Sequence, residues 1–163
     1  MARLGICDSG LQGPRPRGGA GMTIHAFRNV DASPSDPVDT WPFEALVETL
    51  ERGLVIDWQP VFAEIRAHPW GETARRILRW AQGTEDRAAA SLFTAAIDRA
   101  REHMQTREDE EVARRVRTAI ARSGLTAAQF AANIGTSASR LSTYANGHVM
   151  PSAGMLLRIE NLA

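Results

Sequence analysis

Between Val112 and Ile159 the chain carries Arg114, Arg115, Arg117, Arg122, Arg140 and Arg158 and no Asp or Glu, a formal charge of +6. From Asp31 to Glu111 the balance reverses, with 17 acidic residues against 9 Arg, or −8. The net charge of zero therefore conceals a segregated layout, in which only the C-terminal part is suited to face a polyanion. There is no Lys, so every long basic side chain is an Arg. Its planar fork matches phosphate and guanine edges, although the codon usage of a GC-rich genome produces the same bias.

Other chemistries find little support. Cys7 is the sole cysteine, so it forms no internal disulfide and anchors no zinc site alone. His25, His68, His103 and His148 are far apart, and none stands at metal-ligand spacing with another His or Cys. No phosphate-binding loop, zinc motif or recognisable nucleophile setting is present. The carboxylates of residues 31–111 read as solvated helix faces. The expectation is a protein that is not an enzyme and uses no cofactor or metal. No apolar run approaches the ~20 residues of a membrane span, and the N-terminus lacks the apolar core of a signal peptide. A cytoplasmic, nucleoid-associated location is expected, with no membrane partner.

The elements that must position the arginines read as helices. Residues 1–30, Gly-, Pro- and Arg-rich over 1–21, are expected to be a disordered or extended tail. Its simplest reading is a flexible tail or a start upstream of Met22; the alternative is a basic arm for a minor groove. Residues 31–39, punctuated by Pro and Asp, are a loop. Thr40 is the expected cap of a first helix with Pro42 in its first turn, Leu46, Val47 and Leu50 on one face, and Gly53 at its end. A second helix is expected from about Asp57 to Ala67, broken by His68-Pro69. A third runs from about Trp70 to Gln82. Trp41, Trp58, Trp70 and Trp80 all fall in this region and read as the core of a small helical domain.

From Thr84 to Ser123 there is neither Gly nor Pro. Leu92, Phe93, Ala96, Ile97, Ala100 and Met104 form one helical stripe, and Val112, Val116, Ala119 and Ile120 another. Either one long helix joins the two halves, or the chain breaks near Thr106, which caps a new helix with Asp109 three positions on. No segment alternates with period two. The expected fold class is all-α, with a helical domain over 31–105 for dimerisation or partner binding and a second domain over 106–163.

Within the second domain the punctuation is dense. Gly124 suits a left-handed helix end. Thr126 and Gln129 form a capping box, Phe130 and Ile134 share a face, and Gly135 supplies a turn between helices at a steep angle. Ser137 caps the next helix, which turns Leu141 and Tyr144 to the core. At 100° per residue, Ser139, Ser142, Thr143 and Asn146 then point away, with Arg140 at the flank. Gly147 ends that helix. Ser152 caps one more, with Met155, Leu156, Ile159 and Leu162 as its apolar positions.

In order and without gaps, Gly124-Leu125-Thr126, Phe130-Ala131, Gly135, Ser137, Leu141-Ser142, Gly147 and Pro151-Ser152 match the pattern of the Cro/C1-type (XRE) helix-turn-helix family. About a third of the chain resembles that family. The resemblance implies a lambda-repressor-like domain whose Ser137–Ala145 helix lies in the major groove of double-stranded DNA. Ser137, Ala138, Ser139 and Thr143 then stand at base-contacting positions, joined by Arg140, the one long reader. The start of the Thr126–Ile134 helix meets phosphate through its backbone amides. Asn146 and His148 lie in a loop that touches backbone phosphate, and Arg122, Thr126, Ala127, Gln129 and Ser142 complete the backbone set.

Three departures stand out. Many relatives place Gln directly after the capping Thr; here it is Ala127, so that contact is lost or moves to Gln129. Many pair an Arg in the first helix with a Glu near the end of the recognition helix; here the positions hold Ile120 and Ala145, which leaves no orphan buried charge. The readout face is short Ser and Thr apart from Arg140, which reads guanine or only touches phosphate.

The expected function is that of a dimeric transcriptional regulator, a repressor, on a roughly palindromic operator. Many phage-repressor relatives add a fifth helix for dimerisation, and this sequence stops at Ala163, so dimer contacts are expected from the N-terminal or connecting helices. The alternative is an antitoxin-like protein whose N-terminal helices bind a partner protein and whose helix-turn-helix autoregulates its operon.

Overall fold

A computed structural model of the chain describes Phe27 and residues 30–163, and the expectations for the tail before them lie outside the described residues. Seven α-helices and one 3-10 turn make up the described fold, with no strand among those residues. The helices are α1 (Phe43–Arg52), α2 (Trp58–Ala67), α3 (Glu72–Gly83), α4 (Arg87–Ser123), α5 (Ala127–Ile134), α6 (Ala138–Ala145) and α7 (Ala153–Asn161).

The N-terminal unit closes around Phe93 of α4. The rings of Trp58, Phe62 and Trp80 stand 5.4, 5.1 and 6.1 Å from it, Phe62 stacked and the two indoles edge-on. Leu46, Leu50, Val61, Ile65, Ala74 and Ile77 complete the core. Indole burial requires partners for its N–H groups. Trp58 donates to the Thr49 carbonyl at 2.8 Å, Trp41 to the Asp36 carbonyl at 3.0 Å, and Trp80 to Glu51 Oε1 at 3.0 Å. The extended segment before α1 takes part, for Phe27 meets Trp41 edge-on at 5.0 Å.

Two local expectations change. Thr40 does not cap α1. It ends a 3-10 turn over Val38–Thr40, and its hydroxyl donates to the Pro37 carbonyl at 2.7 Å. The helix begins at Phe43 with Pro42 in the capping position, because Pro42 is extended, with ψ 157°. Trp70 is not core. It is 45% exposed and precedes α3, in a turn where the Gly71 amide bonds the His68 carbonyl.

Helix α4 decides the architecture. It runs 37 residues without a break, about 55 Å at 1.5 Å per residue. Thr106 caps nothing; its hydroxyl donates to the Glu102 carbonyl at 2.9 Å, one turn back inside the same helix. Asp86 provides the true cap, accepting from the amides of Ala88 and Ala89. Ala89, Ala90, Phe93, Ile97 and Ala100 are buried in the first unit, and Ala113, Val116 and Ala119 are buried at the other end. Between Ala100 and Ala113 no residue is buried. At 100° per residue the two stripes lie about 130° apart around the axis, so each end turns a different side to its own core. Leu92, one position before Phe93, falls off the first stripe and is 44% exposed.

The second unit packs the end of α4 against α5, α6 and α7. Phe130, Leu141, Val116 and Ile159 are its most deeply buried residues. Gly124 adopts φ 67° and ends α4 as expected, and Gly135 adopts φ 76° in the α5–α6 turn.

Two outcomes are expected. All four tryptophans lie in the first unit, so indole fluorescence reports its unfolding alone. Phe93→Ala should lower the stability read by that probe by about 3–5 kcal/mol, and an unchanged denaturant midpoint would show that Phe93 is not the centre of that core. Glu111 accepts hydrogen bonds from Arg114 and Arg115, which hold its carboxyl down at about 2. A carboxyl depressed in the folded state stabilises above its unfolded value and loses that contribution as pH falls towards 2. The stability gap between wild type and Glu111→Gln should therefore be present at neutral pH and close on acidification from pH 5 to pH 2; a gap that stays constant would sink the assignment.

Candidate nucleic-acid interface

Helices α5 and α6 are short, eight residues each, and hold their shape through caps and cores. For α5 the capping box is complete: Thr126 Oγ1 accepts from the Gln129 amide at 3.3 Å, and Gln129 Oε1 accepts from the Thr126 amide at 3.0 Å. The Thr126 hydroxyl also donates to Gln129 Oε1, at 2.9 Å. The Gln129 oxygen is thus committed to the backbone, and its amide NH2 points its two donors elsewhere. Ala127 and Ala128 are exposed and lie in the first turn, where helical amides have no partner within the helix. Those amides, the positive end of the helix dipole and the Gln129 NH2 lie together at the exposed start of α5, an arrangement of donors suited to an anion.

Helix α6 buries Leu141 and Tyr144, and leaves Ser137, Ala138, Ser139, Arg140, Ser142 and Asn146 exposed and Thr143 half-buried. The hydroxyls differ in what they have left to give. Ser137 Oγ accepts from the Arg140 amide at 3.1 Å, so its own proton remains free to donate. Thr143 donates to the Arg140 carbonyl at 2.8 Å, leaving its methyl group and oxygen lone pairs. Ser142 Oγ accepts from Asn146 Nδ2 at 3.3 Å. Ser139 makes no side-chain bond among the described residues. His148 is exposed after Gly147, its amide bonded to the Thr143 carbonyl at 3.0 Å.

Arg140 is held in place. Its Nε donates to the Tyr144 hydroxyl at 2.8 Å, and its guanidinium carbon lies 5.9 Å from the Tyr144 ring centroid. Because Nε is the bonded atom, the terminal Nη pair stays available as a two-pronged donor. Arg122 sits elsewhere, lining a shallow groove between α4 and the end of α7 with Arg115, Thr118 and Glu160.

Two further residues matter that the sequence did not reveal. Tyr144 orients Arg140, and Arg117 ties α4 to α6: its Nη1 donates to the Ala145 carbonyl at 2.6 Å. Ile120 and Ala145 pack half-buried against the core. The tie between α4 and α6 comes from one turn before Ile120 and ends on a backbone acceptor. A cation at the C-terminal carbonyls of α6 also complements that helix's dipole. No local pattern announces this bond, because 28 residues separate its partners.

The electrostatics are those of a cation surface whose arginines are partly spoken for. Glu111 neutralises Arg114 and Arg115, and Glu160 lies 3.7 Å from Arg115. Arg122 and Arg158 form no ion pair among the described residues. Every acid that touches this unit thus lies outside the Val112–Ile159 stretch, and none is on α5 or α6.

Residues 111–162 match a protein-family model described as a helix-turn-helix domain. The C-terminal part of the chain is a helix-turn-helix DNA-binding domain. The matched segment starts inside α4 and takes in α5, α6 and α7. No curated protein and no solved structure matches the chain.

Arg117→Met keeps the aliphatic stem and removes the donor to Ala145. It should lower the stability of the helix-turn-helix unit by about 0.5–1.5 kcal/mol, with partial recovery in Arg117→Lys, followed by emission of the sole tyrosine, Tyr144. Equal stability of Met and wild type would show that the bond does not hold α6.

Proposed function

We propose that this protein is a sequence-specific, double-stranded-DNA-binding transcriptional regulator of the Cro/C1 (XRE) type that acts as a homodimeric repressor in the cytoplasm, on the nucleoid. The proposal assigns it no enzymatic activity. The observation that carries it is the exposed, acid-free face of α6, with Arg140 braced on Tyr144, beside the open amides of α5. In this reading Ser137, Ala138, Ser139, Arg140 and Thr143 meet base edges. Thr126, Ala127, Gln129, Ser142, Asn146, His148 and Arg122 meet the phosphate backbone. A two-fold dimer sets two such helices about 34 Å apart, one turn of DNA. Occupying an operator suffices for repression.

A second reading is that of an antitoxin-like protein. It is favoured by Leu54 and Val55, adjacent and 62% and 69% exposed in the acidic unit. There the N-terminal helices bind a basic partner protein and the DNA-binding unit autoregulates. The two readings coexist where such a protein represses its own operon.

Selection of random duplexes by the full chain, read by sequencing, tests the first reading and should enrich a palindromic motif. Arg140→Ala should lower affinity and, where Arg140 reads guanine, relax one position of each half-site by about 1–3 kcal/mol. Affinity should fall steeply with salt, with a slope of about −0.9 for each phosphate neutralised. A flat salt response, or no motif from wild type, defeats the sequence-specific reading; a motif-free protein that co-purifies with a basic partner supports the second.

A further inference from the structure

A groove of about 470 Å³ runs between α2 and α4 in the N-terminal unit, away from the helix-turn-helix. Its floor is apolar: Phe62 and Ile65 from α2, and Ala96, Ala100 and Met104 from α4. Its rim is basic: Arg66 from α2, and Arg99, His103 and Arg107 from α4. Helical spacing explains the division. Ala96, Ala100 and Met104 follow one another at four-residue steps, and so do Arg99, His103 and Arg107 three positions on, so α4 presents an apolar ridge beside a basic one. The lined stretch from Ala96 to Arg107 is about 16 Å long.

The charge is what makes this a site. The groove lies in the segment whose formal charge is −8, yet no carboxylate lines it among the described residues. Elsewhere in that unit Arg75, Arg76 and Arg79 gather around Glu72 and Arg101 meets Asp98, while Arg52 and Arg87 stand apart from the groove without an ion pair among the described residues. Arg66, Arg99 and Arg107 have no ion pair or hydrogen bond among the described residues. Three unpaired guanidiniums above an apolar floor match a molecule with an anionic head and an apolar body. The volume falls within the usual range for a small-molecule pocket, roughly 300–1,000 Å³. The geometry points to a binding site for a small amphipathic carboxylate. Its head is gripped by Arg99 and Arg107 with Arg66 opposite, and its apolar body lies against Phe62, Ala96 and Met104. Arginine suits that grip because its fork bonds both carboxylate oxygens at once.

Isothermal titration of the full chain with decanoate, below its micelle concentration, tests the site. 2-Naphthoate tests an aromatic body in place of an aliphatic one, and decanol tests the need for the charge. One carboxylate should saturate a single site per chain, and decanol should bind at least tenfold more weakly than decanoate if the body is aliphatic. The exposed double substitution Arg99→Gln with Arg107→Gln should weaken carboxylate binding at least tenfold. Ala96→Trp should abolish it by filling the groove with every charge retained. Indole-monitored melting verifies that both variants fold. The site is refuted by saturable binding of neither carboxylate, by binding that Ala96→Trp and the double variant leave unchanged, or by a dimer seen in sedimentation that Ala96→Trp dissolves without any ligand effect. None of these readouts involves DNA, so the site and the DNA-binding reading stand or fall separately.

Discussion

Both packed units draw on one helix. Phe93 and Ile97 sit at the centre of the first core and Val116 and Ala119 in the second, and all four are carried by α4. A helix of 37 residues with a bare middle is unusual on propensity grounds alone, since isolated helices draw most of their stability from a packed face. Here each end is anchored by its own core, and the stretch between Ala100 and Ala113 is held by continuity with both. The two stripes face directions about 130° apart, so neither unit has to compete with the other for the same side of the helix.

The second unit shows how little is needed to set a short exposed helix once its ends are fixed. Helix α6 has two buried side chains, a serine cap at its start and, at its end, a carbonyl held by Arg117. Ile120 and Ala145 meet at this contact as packed apolar groups, so no charge has to leave water there. The bond from Arg117 supplies a directional link between α4 and α6 without a buried carboxylate.

Charge placement ties the architecture to its chemistry. The acid-free stretch leaves α5 and α6 without a carboxylate, and the acidic first unit offsets the positive charge of the second. Glu111 marks the boundary, drawing Arg114 and Arg115 back along α4. The groove between α2 and α4 inverts this pattern locally, lined by Arg66, Arg99 and Arg107 and by no carboxylate among the described residues.

Much of this was written in the residue order. Stepwise apolar spacing set the helices, and Gly124, Thr126, Gly135, Ser137 and Ser152 set the ends of those in the second unit, because caps and left-handed turns are local chemistry that the sequence carries directly. The exposed face of α6 followed from 100° per residue once Leu141 and Tyr144 were assigned inward. The continuity of α4 was half legible: the run without Gly or Pro from Thr84 to Ser123 allowed one long helix, but stripes on different sides of it look like two helices, and Thr106 has the right neighbours for a cap. The start of α1, the exposure of Trp70, the bracing of Arg140 by Tyr144 and the reach of Arg117 to Ala145 were decided only in three dimensions. Each depends on which groups the packed core leaves within bonding distance, and residues far apart in sequence meet there for reasons that no local pattern encodes.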